Sequence, residues 1–206
     1  MSWIRTVKRC PPRMPPVPLT PVPLTPVPSP PVHTTIVQPT VISIPPNKSI
    51  ETTKPIINNN IWGPALWIIL HSACEQIGAH DMKKLPQEES RIWLGLLQSL
   101  RYSLPCPQCK KHYNTFFTNA PIAVITRDSV RRWLFHLHNQ VNQRLEKQWF
   151  PETSLAQYQT VFNFSHQYEI IQGQMLAAVR QGWSLHEDVQ RTLRLLTEMK
   201  CFYDFV

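Results

Sequence analysis

No apolar run in this 206-residue chain reaches the roughly 18 to 20 residues that a membrane-spanning helix requires. The first residues, Met1 to Pro16, also lack the apolar stretch of a secretory signal. The expectation is a soluble protein that is not exported by that route. Cysteine is scarce: the five thiols, at positions 10, 74, 106, 109 and 201, are too few and too irregularly spaced for a disulfide-stapled scaffold. Alternating apolar and polar residues, the mark of a half-buried strand, are missing apart from weak β character around Thr34 to Ile44. No arginine-rich run is interleaved with aromatics, so nucleic acid is not an expected partner, and the net charge of +8 reads as solvated surface.

What is present divides unevenly. Hydrophobic residues at 42% and charged residues at 17% suit a globular protein, yet fifteen of the 21 prolines lie in the first 55 residues. The remainder holds six prolines and six of the seven tryptophans. Residues 11–31 read PPRMPPVPLTPVPLTPVPSPP, a repeat that favours extended polyproline II and buries too little apolar surface to offset its ordering entropy. Residues 1–57 are therefore expected to be a disordered proline-rich tail, serving as a spacer or as a docking strip for a proline-recognising partner.

From Asn58 the period becomes helical. Asn58, Asn59 and Asn60 offer N-caps, and Ile61, Ala65, Leu66, Ile69, Leu70 and Ala73 recur at three- and four-residue steps. Gly63, Trp67, His71 and Cys74 share one face of that helix. A second helix is expected from about Gln87 to Ser103, stopped by Leu104-Pro105, and a third from the cysteine pair to about Asn119. A fourth should be capped by Asp128-Ser129 and run to about Trp149, with His138 and Asn142 one turn apart. Residues 154–206 suggest two more helices, broken near Gln181 to Ser184. The fold class is all-α.

Chemistry concentrates at Cys106-Pro107-Gln108-Cys109. Two thiols one helical turn apart lie within disulfide reach, and a helix N-terminus supports a thiolate on the first of them. Lys110, Lys111 and His112 add positive potential, although such residues are often only solvated surface. On its own the pair is open to three readings: redox, zinc and coincidence. Zinc would need Cys106, Cys109, His112 and His136 or His138, but no second C-x-x-C supplies the usual knuckle. A thioredoxin-like setting would require a βαβ unit, which is not there.

Two further segments are unusual for plain packing. One is Trp62 to His71, which sets a glycine, a tryptophan and a histidine along one face; the other is His138 to Lys147, which groups imidazole, amides and a lysine. The three stretches, in this order, resemble the WGPxxWxxLH, PCxxC and HNxVNxxLxK segments of the Erv/ALR sulfhydryl oxidases, most like the compact forms of large DNA viruses. The resemblance covers about residues 60 to 151 and implies a four-helix bundle with a short fifth helix around FAD. It implies a domain over 58–151 and leaves 152–206 as a helical extension of unknown role.

The implied reaction is disulfide formation in substrate protein dithiols, either directly or through a thioredoxin-like relay protein. Electrons would pass to FAD and then to molecular oxygen, giving hydrogen peroxide. Cys106 would be the interchange thiol and Cys109 the flavin-proximal thiol. Cofactor contacts would fall on Trp62, Gly63, Trp67, His71, His138, Asn139, Val141, Asn142, Lys147 and Phe150, with no metal. Family members often carry a structural cysteine after the fourth helix and a second shuttle pair, and neither is present here. Cys10 and Cys201 stand as isolated shuttle candidates, while Cys74 reads as an inert buried thiol. The resemblance further implies a homodimer and, in a viral setting, work on virion proteins in the host cytoplasm or virion. The alternative location is the mitochondrial intermembrane space.

Overall fold

The structure, a computed structural model, describes residues 56–79 and 85–206. The proline repeat, the weak β stretch and Cys10 lie outside the described residues. Among the described residues there are six α-helices, one 3-10 helix and no strand, so the all-α expectation holds. In chain order they are α1 (Asn59–Glu75), α2 (Pro86–Ser103), α3 (Pro107–Asn119), α4 (Arg127–Arg144), the 3-10 helix (Glu152–Gln159), α5 (Phe164–Arg180) and α6 (His186–Tyr203).

The boundaries follow from local chemistry. Asn58 caps α1 by accepting the Asn60 N–H at 2.9 Å. Pro86 and Pro107 occupy the first positions of α2 and α3, where a missing N–H costs nothing and the fixed φ suits a helix. Cap residues were expected at Asp128-Ser129, yet α4 starts earlier. Thr126 Oγ1 accepts the Ser129 N–H at 3.2 Å and Ser129 Oγ accepts the Thr126 N–H at 3.0 Å. Asp128 thus sits in the first turn, where a carboxylate complements the helix dipole.

The far end of α4 also differs from its expected extent. Helix was anticipated to about Trp149, but Glu146 adopts φ 53 and the chain turns back after Arg144. Glu146 N–H reaches the Gln143 carbonyl at 3.2 Å and Lys147 N–H reaches the Asn142 carbonyl at 2.9 Å, the bonding of a Schellman stop. Continued apolar periodicity through Leu145 and Trp149 conceals this stop in the sequence.

The core is shared by all the helices. α1 packs against α4, α5 and the 3-10 helix, α2 packs against α3 and most extensively α6, and α5 packs on α6. Trp93, Leu96, Leu97 and Leu100 of α2 are sealed from solvent together with Ile69, Leu134, Ile171, Met175, Leu196 and Met199. Residues 164–203 therefore supply part of the same hydrophobic core. At the α2–α6 seam, Thr192 Oγ1 lies 2.9 Å from Ser99 Oγ and 2.7 Å from Ser103 Oγ, so the buried hydroxyls satisfy one another. Gly182, at φ 72, ends α5 at the expected break and lets the chain reverse into α6.

Candidate functional site

The Leu104-Pro105 stop after α2 delivers Cys106 in extended conformation as the N-cap of α3. Its Sγ accepts the Cys109 N–H at 3.3 Å, so the first thiol takes the place of a capping oxygen. Both cysteines are free thiols and both are half-buried against the core. Burial first, and then the hydrogen bond to Cys106, push the Cys109 thiol up to about 12, with the Arg144 guanidinium pulling the other way.

Cys109 opens on a cleft of about 1220 Å³ bounded by α1, α3, α4 and the 3-10 helix, somewhat above the range of ordinary ligand pockets, about 300–1,000 Å³. Trp62, Gly63 and Trp67 form its α1 wall, and Val141, Asn142 and Lys147 its α4 side. No atom approaches within 4 Å of where a Cβ would stand on Gly63, so this wall is left open by the absent side chain. One residue on, Pro64 lies inside α1 and supplies no N–H, which leaves the Asn60 carbonyl at the cleft without its helical donor.

Aromatic rings stack at the inner end. The His138 ring lies between Trp67, at 4.3 Å and 9°, and Phe150, at 4.5 Å and 16°. Behind it His71 stacks on Tyr158 at 4.5 Å, and His71 Nε2 is 3.3 Å from His138 Nδ1. The two histidines are 2% and 9% exposed. Burial, and secondarily His138, lowers His71 to about 3; burial, and secondarily Lys147, lowers His138 to about 4. Both rings are neutral at pH 7, and one can donate to the other.

The asparagines of α4 have a use that the sequence did not reveal. Asn139 holds Phe150 at both backbone groups: its Oδ1 accepts the Phe150 N–H at 2.7 Å and its Nδ2 donates to the Phe150 carbonyl at 3.1 Å. Asn142 Nδ2 donates to the Gln148 carbonyl at 3.2 Å. The Schellman stop turns the chain, and these amides then fasten the returning loop so that Phe150 faces His138.

Of the residues singled out from sequence, Cys109, Trp62, Gly63, Trp67, His138, Val141, Asn142, Lys147 and Phe150 line the cleft. Cys106, His71 and Asn139 do not: Cys106 lies on the outer side of the pair, and the other two stand behind the wall they brace. Cys74 is buried away from the cleft, its thiol donating to the Arg127 carbonyl at 3.5 Å and pushed up to about 12 by burial. Sequence reasoning missed His112, Arg144 and Tyr158, all on the cleft wall. His112 Nδ1 and Arg144 Nε are buried there without a hydrogen-bond partner. The i, i+3 spacing of His112 from Cys109 was a visible signal; Tyr158 lay outside every recognised segment.

Residues 64–161 match the model of the Erv1 / Alr family. The FAD-linked sulfhydryl oxidase of African swine fever virus (isolate Pig/Kenya/KEN-50/1950) is 28% identical over 104 residues, 50% of this chain and 82% of the relative. Protein 088R of Frog virus 3 (isolate Goorha) is 31% identical over 87 residues, 42% of this chain and 57% of its own. The FAD-linked sulfhydryl oxidase ERV1 of Arabidopsis thaliana is 27% identical over 101 residues, 49% of this chain and 50% of the plant protein. The chain thus spans about half the length of the last two. No solved structure matches the chain. Three motifs in order around one cleft fall within or beside this match, so residues 64–161, somewhat under half of the chain, are similar to the Erv1 / Alr family.

Proposed function

We propose that the protein is an FAD-dependent thiol oxidase that forms disulfide bonds in substrate proteins. One observation carries the reading: Cys109 opens on a large aromatic cleft while its partner Cys106 stays outside it. A relay from substrate to cofactor needs this two-sided arrangement. The names of the African swine fever virus and Arabidopsis relatives support the same activity.

The residues fit FAD. Gly63 leaves open the space a ring could approach, and Trp67, His138 and Phe150 provide a stacked aromatic wall. Lys147 and Arg144 bring cations to the cleft for phosphates, and Arg144 Nε and His112 Nδ1 are buried polar atoms on its wall. The chemistry FAD supplies when bound is acceptance of two electrons and their delivery to molecular oxygen, which yields hydrogen peroxide.

The chain's own residues perform the exchange. In the oxidised form a substrate thiolate attacks Cys106 Sγ, the Cys106–Cys109 bond breaks, and Cys109 departs with the electron pair and takes up a proton. The second substrate thiolate then attacks the substrate sulfur of the mixed disulfide and releases Cys106. The substrate gains a disulfide, and the protein holds the two electrons as the Cys106–Cys109 dithiol. The Cys109 N–H, aimed at Cys106 Sγ, is placed to steady the charge that develops on that sulfur when it leaves in the second displacement. Burial of Cys109 keeps the second thiol protonated at neutral pH until the cofactor side draws on it.

The viral relatives support a setting in which virion proteins are oxidised inside a cytosol that otherwise keeps thiols reduced. A homodimer is part of the same reading. No helix among the described residues is long and apolar enough to cross a membrane.

The test is a visible spectrum with an oxygen electrode. Purified protein should absorb near about 450 nm from bound flavin and consume oxygen with dithiothreitol. Cys106→Ser and Cys109→Ser should each abolish turnover while retaining the flavin. Colourless protein, or turnover surviving either substitution, refutes the proposal.

A further inference from the structure

The family match ends at residue 161, yet the α5–α6 turn beyond it reaches the flank of the dithiol. Lys110, one helical turn after Cys106, is the connection. Its ammonium donates to the Trp183 carbonyl, to Ser184 Oγ at 3.1 Å and to the Tyr102 carbonyl at 3.4 Å. One side chain therefore fastens the end of α2, the start of α3 and the α5–α6 turn together.

Around that latch three large apolar side chains remain open to solvent: Tyr102 at 46%, Trp183 at 42% and Leu185 at 71%. Ser184, between the last two, is buried, so the turn is anchored while its neighbours project outward. Trp183 and Leu185 are not needed to close the core.

Resting on the thiol-oxidase reading, we propose that Tyr102, Trp183 and Leu185 form a docking rim for substrate, and that it fits an extended polypeptide with apolar side chains beside its cysteine pair. Continuity with the reaction site supports that occupant. A thiol that attacks Cys106 brings its own backbone across this flank, since the opposite side of the pair faces the cleft. The rim presents apolar surface, whereas its one central cation is already spent on three oxygen acceptors within the protein. The cation an acidic flank would meet instead is Arg101, whose guanidinium lies 5.7 Å from the Tyr102 ring centroid. Apolar side chains next to a reduced cysteine pair are a feature of chains that have not finished folding, and burying them against Trp183 is favourable.

The experiment uses the full chain with bound flavin and three reductants: dithiothreitol, a synthetic C-x-x-C peptide flanked by Leu and Phe, and the same peptide flanked by Ser and Gly. The wild type should oxidise the apolar-flanked peptide with a KM about tenfold below that of the Ser/Gly peptide, the scale expected from burying part of one indole ring. Trp183→Ala should raise the KM for the apolar peptide to that of the other, leaving kcat, the flavin spectrum and dithiothreitol oxidation unchanged. Trp183→Phe should restore most of the preference. Equal KM values for the two peptides in the wild type overturn the proposal, as does a preference for an acid-flanked peptide. A Trp183→Ala variant that loses dithiothreitol turnover also overturns it, because the turn would then act on the redox pair itself. Absence of any oxidation by the wild type removes the thiol-oxidase reading and the rim with it.

Discussion

At the scale of single residues, the polar groups of α4 divide their labour between touching the cleft and holding what touches it. Asn139 was expected to contact a cofactor, but its amide is consumed by the Phe150 backbone. The physical consequence is specific. Asn139→Ala strips partners from one donor and one acceptor in a partly buried loop, at a cost of about 1–3 kcal/mol. It also frees Phe150 to leave His138. Urea unfolding should show that loss, and the ratio of flavin to protein after gel filtration should fall with it; an Asn139→Ala protein of wild-type stability would contradict the bracing role.

At the scale of elements, the end of α4 carries a visible compromise. The Schellman stop places Glu146, a residue with a Cβ, in the left-handed region at φ 53. For L residues that conformation costs on the order of 1 kcal/mol, which glycine avoids at some expense in unfolded-chain entropy. Glu146 is exposed, so its side chain contributes little packing. Glu146→Gly is therefore expected to stabilise the protein by about 0.5–1 kcal/mol, raising the thermal midpoint without altering turnover. A lower midpoint would mean that the Glu146 side chain does something the geometry does not show. The start of α3 makes the converse case, in which a cysteine sulfur rather than an oxygen caps the helix because the same atom is wanted for exchange.

At the scale of the whole molecule, the neutral histidine pair links α1 to α4 and couples folding to pH. In the folded protein His71 and His138 are depressed to about 3 and about 4, against an ordinary value of 6.5. Below pH 6.5 the unfolded chain therefore binds protons that the folded chain refuses, and stability falls as pH drops. It is fully present above pH 6.5 and is lost progressively toward pH 3–4. Between pH 6.5 and 5 the buried His71 alone accounts for roughly 2 kcal/mol. Thermal midpoints recorded at pH 7.5 and 5.0 should separate, and His71→Asn should narrow the gap. An unchanged gap in that variant would assign the acid sensitivity elsewhere.

The sequence by itself determined the helices and the neighbourhood of the redox pair. Heptad-like apolar spacing, the Asn58 cap, the prolines at the starts of α2 and α3 and Gly182 at the α5–α6 break act within a few residues, so their effects are readable without a fold. Nine of the twelve site residues singled out from sequence likewise line the cleft. Tertiary structure decided what spacing cannot express. Only the return of the chain after Arg144 turned Asn139 inward to brace Phe150, and only packing against α1 brought Tyr158 onto His71. Arg144 and His112 became cleft residues because α3 and α4 converge there, contacts that join positions 32 residues apart and leave no local signature. Residues 164–203 show the same limit: their apolar stripes announced helices, but only packing onto α1 and α2 made them part of one core, and only the fold brought the Trp183 carbonyl onto Lys110 at the start of α3.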